Sequence, residues 1–289
     1  MLLRQCVREA GKRLAQAGVE SPCLCAQLLV GRLLGINRLE CIIDANRELT
    51  TDQLADLNQL LLRKIAGEPL AYLLGQKEFF SRAFHVTPDT LIPRPETELL
   101  VETALALLPG SCRLFFADIG TGSGCLGITL ALERKLWRGL LLDISEKVLA
   151  VAKLNAQHLQ AAPSLAYVRA DMYGTPLKPC SCDFMVSNPP YIAEDDIAQV
   201  MDEVWRFEPH AALFSPHGGA AHLEAVVRLA AHALKINGTV IVEHGAEQGA
   251  KTRALFAAAG VFDGITTLRD PARLERCTYA VKHQARQHI

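Results

Sequence analysis

The run Asp183-Phe-Met-Val-Ser-Asn188-Pro189-Pro190-Tyr191 places a primary amide, two prolines and an aromatic ring directly after an apolar stretch. Proline fixes its own φ, lacks an N–H and pushes the residue before it out of the helical region, so Asn188-Pro-Pro forms a stiff extended corner. Such a corner aims the Asn188 side-chain oxygen and the Pro189 carbonyl at one point. Two converging acceptors match a donor with two hydrogens on one nitrogen: a carboxamide, or the exocyclic amine of adenine, cytosine or guanine. Tyr191 would pack on the flat face of that group. Asn188, Pro189 and Tyr191 are the candidate catalytic residues.

A second constellation is Asp118-Ile-Gly120-Thr-Gly122-Ser-Gly124-Cys-Leu-Gly127, which follows an apolar strand and opens a helix. Its glycines let backbone amides approach a ligand at a helix N-terminus. Gly122-x-Gly124-x-x-Gly127 also matches the dinucleotide fingerprint, and Asp143, about 20 residues on, suits a ribose hydroxyl in either case. This window alone leaves a nicotinamide cofactor and S-adenosylmethionine both open. Asp118 favours the methyl donor, since a carboxylate there would hold an amino group and repel a pyrophosphate. Asp171-Met172, after a third strand, would bring a carboxylate to an adenine amino group and a thioether to its face. A turn aspartate beside a core methionine fits that pair equally well.

A glycine loop, Asp143 and Asn-Pro-Pro-Tyr in this order argue against the dehydrogenase reading. They fit attack by a planar nitrogen on a sulfonium methyl. Positive charge then moves to nitrogen, so bonds from its N–H groups to Asn188 and Pro189 strengthen towards the transition state. An N-methylated amidium sheds its proton unaided, and no general base is assigned.

These residues need strand ends to carry them. Arg113–Asp118, Gly139–Asp143, Ala166–Arg169, Cys182–Ser187 and Gly238–Glu243 read as buried strands, with helical segments between them. Gly264–Leu268 and Arg276–Lys282 read as an antiparallel edge hairpin, and the basic tail after Lys282 is expected to fray. The first eighty or so residues read as helical, with a boundary near Arg82: a small all-α domain over residues 1–82, and an α/β domain over 83–289. Ser21 before Pro22 reads as a helix N-cap, and Thr50 with Gln53 as a capping box. Gly67 and Pro69 stop the helix that follows. Lys77–Phe80 and Ala83–Val86 read as a linker hairpin turning at Ser81-Arg82.

The chain has 289 residues, 50% of them apolar, and 30 basic against 31 acidic residues. No global field holds a polyanion, and no stable nucleic-acid partner is expected. Nine cysteines form two C-x-C pairs and no C-x-x-C, so neither a metal nor a disulfide framework is expected. The apolar stretch from Cys23 to Ile36 carries Arg32 and falls short of the roughly 20 residues of a membrane span. The reading is cytoplasmic, without a membrane partner.

Gly67-Glu-Pro-Leu-Ala-Tyr72, Leu91-Ile-Pro-Arg-Pro-Glu-Thr-Glu98, Asp118–Gly124, Asn188–Tyr191 and Arg206-Phe-Glu-Pro209 together resemble the peptide chain release factor glutamine methyltransferases, over nearly the whole chain. The resemblance implies a Rossmann-like, seven-stranded S-adenosylmethionine methyltransferase domain and an N-terminal helical domain that docks the substrate. It implies methylation of the side-chain amide of the glutamine in the Gly-Gly-Gln motif of class I release factors. It assigns cofactor contacts to Gly120, Thr121, Gly122, Ser123, Gly124, Asp143, Met172 and Asn188, beside Asp118 and Asp171 from the reading above. Substrate contacts fall on Asn188, Pro189, Pro190 and Tyr191. Met172 departs from the family, where an aromatic residue is expected. The ribosomal-protein glutamine methyltransferases share the tetrapeptide but are not expected to carry Arg94–Glu98 in this form. Adenine-N6 DNA methyltransferases also carry it, yet residues 1–82 hold 11 Lys and Arg against 9 Asp and Glu and leave no other spare domain for reading a target. A binding module that keeps the fold without turnover is the non-enzymatic alternative.

Overall fold

The computed structural model describes residues 1–174 and 176–284. The tail expected to fray lies outside the described residues beyond Gln284.

The chain forms two compact units: Met1–Gln76 with Met201–Phe207, and Lys77–Val200 with Glu208–Ile289. The first is helical: α1 (Leu3–Gln16), α2 (Pro22–Leu34), α3 (Arg38–Ile43), α4 (Thr51–Ile65) and α5 (Leu70–Leu74). Leu3, Cys6, Ala10 and Leu14 recur at helical spacing on α1 and bury against Leu29 and Val30 of α2 and Leu57 and Leu61 of α4. The capping box forms: the Thr50 hydroxyl accepts from the Gln53 amide at 3.2 Å, and the Gln53 side chain accepts from the Thr50 amide at 3.0 Å. Ser21 does precede Pro22 at the start of α2, but its side chain caps nothing. It sits at φ 49°, in the left-handed region and not in the extended conformation usual for a capping residue.

The sequence boundary near Arg82 misses the short helix Asp202–Phe207, which belongs to the helical unit. Lys64, buried on α4, donates to the Glu68 carbonyl at 3.0 Å and to Glu203 at 3.1 Å. Gly67, at φ 95°, leaves room beside Arg206 and Phe207.

The second unit starts at Lys77, one residue into the hairpin of β1 (Gln76–Phe79) and β2 (Arg82–His85). Its turn is Phe80-Ser81, one residue earlier than the sequence reading. Both turn residues are left-handed, at φ 49° and 60°, as a type I′ turn requires. Contacts within the hairpin and one from outside it hold this register. The Phe80 amide donates to Glu98 at 2.8 Å, Arg82 donates to the Phe80 carbonyl at 3.1 Å, and Phe79 and Phe84 bury edge to face.

A single turn (Pro95–Thr97) leads into α6 (Glu98–Leu107), then β3 (Phe115–Ile119), α7 (Cys125–Glu133), β4 (Arg138–Asp143), α8 (Glu146–His158), β5 (Leu165–Arg169) and β6 (Cys182–Ser187). The two-residue strands β7 (Ile192–Ala193) and β8 (Phe214–Ser215) pair in parallel. Then come the helix Ala221–Ala233, β9 (Leu234–Glu243), the helix Gly249–Ala258, β10 (Phe262–Arg269) and β11 (Glu275–Lys282).

Seven strands form one sheet in the order β10-β11-β9-β6-β3-β4-β5. The five from β9 to β5 are parallel, and β11 runs antiparallel to both β9 and β10. One face buries Phe116, Leu141, Phe184 and Ile241 under α6, α7 and α8. The other buries Ala117, Leu142, Met185 and Val240 under the helices 221–233 and 249–258. Burial on both faces is why these strands read as continuous apolar runs. Among the described residues no helix is long and apolar enough to cross a membrane.

Candidate active site

Strand order reverses between β3 and β6, so their C-terminal ends splay their following loops apart and open a crevice, the usual ligand site of such sheets. The Ser187 hydroxyl donates to the Ile119 carbonyl at 2.7 Å and ties the two ends together. From β3 the chain enters the glycine loop, with Gly120, Gly122 and Gly124 at φ 70°, 56° and 83°. The amides of Gly120 and Thr121 donate to the Leu142 carbonyl, and that of Gly122 to Asp143 at 3.2 Å. Gly124 is left-handed and a Cβ there would meet Ala152 of α8 at 3.2 Å, so a side chain at this position would be strained.

The crevice encloses about 380 Å³, within the range of small-ligand sites. Gly120, Thr121, Gly122, Ser123, Asp143, Asp171, Met172, Asn188 and Pro190 line it together. Gly124 lies beneath the wall as the N-cap of α7. Asp143 ends β4, and its two oxygens accept from the amides of Gly122 and Ser145. Burial raises its carboxyl above the usual range, against the lowering effect of those amides. Asp171 accepts from the Tyr173 amide at 2.9 Å, so it is the turn aspartate of the sequence reading and a cleft residue as well.

Asp118 is not on the cleft wall. It is fully buried beneath the loop, where Oδ2 accepts from the Thr121 hydroxyl at 2.6 Å and the Gly127 amide at 3.0 Å. Burial pushes its carboxyl up to about 6, despite those two donors and with help from Asp143. Its geometry is that of a brace for the loop.

Within the tetrapeptide, Asn188 and Pro190 face the cleft while Pro189 and Tyr191 do not. The Asn188 Nδ2 donates to the Thr97 hydroxyl at 3.0 Å, which donates to Glu243 Oε2 at 2.6 Å. Tyr191 turns its hydroxyl to Glu243 Oε1 at 3.4 Å instead of presenting its ring to the crevice. Its carbonyl accepts from Gln248 at 2.8 Å, and β7 follows at once, so the loop is held on both sides.

Sequence reasoning missed Thr97 and Glu243, although each left a signal. Thr97 lies inside Arg94–Glu98, quoted only as a resemblance, and Glu243 is a carboxylate at a strand end, just as Asp143 is. It also missed the aromatic wall beside Met172. Tyr173 lies 5.1 Å from His222, centroid to centroid, and His222 bonds the Ser215 hydroxyl at 2.8 Å. Both rings line the crevice. Thr90, Leu91, Pro93 and Arg94 line it too, where Arg94 pairs with buried Glu208 at 2.6 Å and the Ile92 amide donates to the same carboxylate at 3.1 Å. Among the described residues no cluster of three or more His, Cys, Asp or Glu is placed to hold a metal ion.

A seven-stranded sheet of this order, with a glycine loop and an Asn-Pro-Pro-Tyr corner at its switch point, defines a Rossmann-like methyltransferase. Residues 96–221 match the methyltransferase small domain, and residues 5–75 the PrmC N-terminal domain. A release factor glutamine methyltransferase of Nitratidesulfovibrio vulgaris is 40% identical over 280 residues, covering 96% of this chain and 94% of that one. Those of Escherichia coli and Caulobacter vibrioides are 37% and 36% identical, and this chain covers 98% and 94% of them. The chain belongs to the release factor glutamine methyltransferase family.

Proposed function

We propose that the protein transfers a methyl group from S-adenosylmethionine to the side-chain amide nitrogen of the glutamine in the Gly-Gly-Gln motif of class I peptide chain release factors. The observation that carries this reading is that one crevice is lined by the glycine loop, Asp143 and Asn188 together. The residues present suit the donor: left-handed glycines open the loop backbone, Asp143 at the end of β4 offers a carboxylate that suits ribose hydroxyls, and Met172 with Tyr173 offers a wall that suits a planar base. S-adenosylmethionine, when bound, supplies an electrophilic methyl group on a sulfonium.

The protein residues do the rest by orientation and by accepting hydrogen bonds. Asn188 gives its Nδ2 to Thr97, which leaves Oδ1 as the end available to an incoming NH2. Pro189 has no N–H, so its peptide offers that group only an acceptor. Both acceptors gain strength as nitrogen becomes cationic, and the rigid corner is already in place. Glycines before the target glutamine would let its loop enter a narrow crevice. Contacts from Asp171 and Pro190 are part of the proposal, as are substrate docking by the helical unit and a cytoplasmic setting; Asp118 and Tyr191 act indirectly, through the glycine loop and through Glu243.

The purified protein, given a class I release factor and S-adenosylmethionine, is expected to add one methyl group to that glutamine, located by fragment mass spectrometry. A Gln→Glu release factor should accept none. Methylated adenine in DNA, with the release factor unmodified under the same conditions, would overturn the reading.

A further inference from the structure

We propose that Thr97 and Glu243 are positioning residues that decide which end of the Asn188 amide faces the crevice. The inference rests on the reading of Asn188 as the acceptor for the substrate NH2. The oxygen and nitrogen of an asparagine amide have nearly the same shape, so packing does not choose between them and hydrogen bonds must. A flipped amide would point donor at donor and repel the substrate.

The structure supplies the missing choice. Thr97 and Glu243 are 2% and 1% exposed, so water does not intrude on their 2.6 Å bond. An ionised carboxylate only accepts, which commits the single hydroxyl hydrogen of Thr97 to Glu243. Thr97 then offers Asn188 lone pairs alone, and only Nδ2 can satisfy them. The second carboxylate oxygen accepts from Tyr191, so one buried group sets both polar side chains of the tetrapeptide. These three pieces come from the turn before α6, the end of β9 and the loop after β6.

Protonation of Glu243 would undo the choice, because a carboxylic acid can donate to Thr97 and free the hydroxyl hydrogen for an Asn188 oxygen. Burial pushes the Glu243 carboxyl up to about 7, with Glu96 adding to the rise and Thr97, Arg276 and Tyr191 opposing it. The Cys125 and Cys277 thiols nearby are themselves raised to about 12 by burial, and stay neutral. Activity therefore falls as pH drops through the region near 7.

The test uses the full chain and a class I release factor, with kcat and KM separated and S-adenosylmethionine affinity measured by calorimetry. Thr97→Val, which keeps the shape but loses the hydroxyl, should lower kcat by about tenfold, the worth of one net hydrogen bond. Cofactor affinity should hold within about twofold. Thr97→Ser should restore most of kcat, together with the acid-side fall that the valine variant lacks. A valine variant as fast as wild type, a serine variant as slow as valine, or an equal loss of cofactor binding would overturn the positioning role. Asn188→Ala run in parallel separates the two levels. If it is inactive while Thr97→Val is normal, only the positioning role fails; if it is active, the reading of the tetrapeptide fails first.

Discussion

Arg94 and Glu208 stand 114 positions apart in sequence and meet at 2.6 Å, joining the two family motifs that flank the methyltransferase residues. Glu208 is 4% exposed and also accepts from the Ile92 amide, so it fixes a segment that lines the crevice. Glu208→Ala strands a half-buried guanidinium and a buried amide, and should cost about 3 kcal/mol of stability. Denaturant unfolding checks this, and a loss under about 1 kcal/mol would mean that the pair is too solvated to matter.

Asp143→Ala should weaken S-adenosylmethionine binding by about 1.5 to 3 kcal/mol through loss of charge-assisted bonds. The protein should still fold, although the loop loses the anchor it has at the Gly122 amide. Calorimetric titration of the folded variant decides. Unchanged affinity would remove Asp143 from the cofactor site.

Asn188→Ala should abolish turnover with a much smaller effect on cofactor affinity, since its acceptor is worth most in the transition state. Asn188→Asp places a negative charge beside the sulfonium and loses the Nδ2 donor to Thr97, so tighter cofactor binding with poor catalysis is expected. Initial rates and titrations on both variants distinguish these effects, and a near wild-type kcat in the alanine variant sinks the mechanism.

Asp118 makes folding depend on pH in a stated direction. Its carboxyl sits near 6 in the folded state because burial disfavours the charge, above its ordinary 3.8. The resulting stability is fully present below about 4 and is lost as pH rises through about 6. Asp118→Asn keeps an acceptor for Thr121 and Gly127 and removes the ionisation. Urea unfolding between these pH values should therefore fall more steeply for wild type than for the variant, and parallel profiles would contradict the assignment.

The central strands β3 and β6 were legible because they are buried on both faces, and the glycine loop and tetrapeptide because they sit at strand ends. What escaped the sequence was pairing over long separations. Lys64 meets Glu203 across 139 residues, so residues 201–207 gave no local sign of belonging with the helices. Thr97 meets Glu243 across 146. The Phe80-Ser81 turn carries no glycine or asparagine, and Glu98 holds it from outside the hairpin. The consequence is practical. A truncation at Arg82 would strip Phe79 from the α/β core, whereas one starting at Lys77 keeps it. With such a chain, S-adenosylmethionine binding should survive and capture of release factor should weaken; equal activity on intact release factor would remove the docking role.

Asn155 on α8 is wholly buried, and its side chain accepts from the His85 amide at 2.7 Å while donating to the carbonyls of His85 and Ser123. One side chain thus satisfies backbone groups from the hairpin exit and the glycine loop at once. Opening either segment costs the shared, buried side chain one of its bonds and loosens its hold on the other segment. The hairpin and the cofactor loop should therefore breathe as one cooperative unit: the His85 amide should exchange with deuterium in step with the loop amides, and a ligand that quiets the loop should protect His85 although it never touches it.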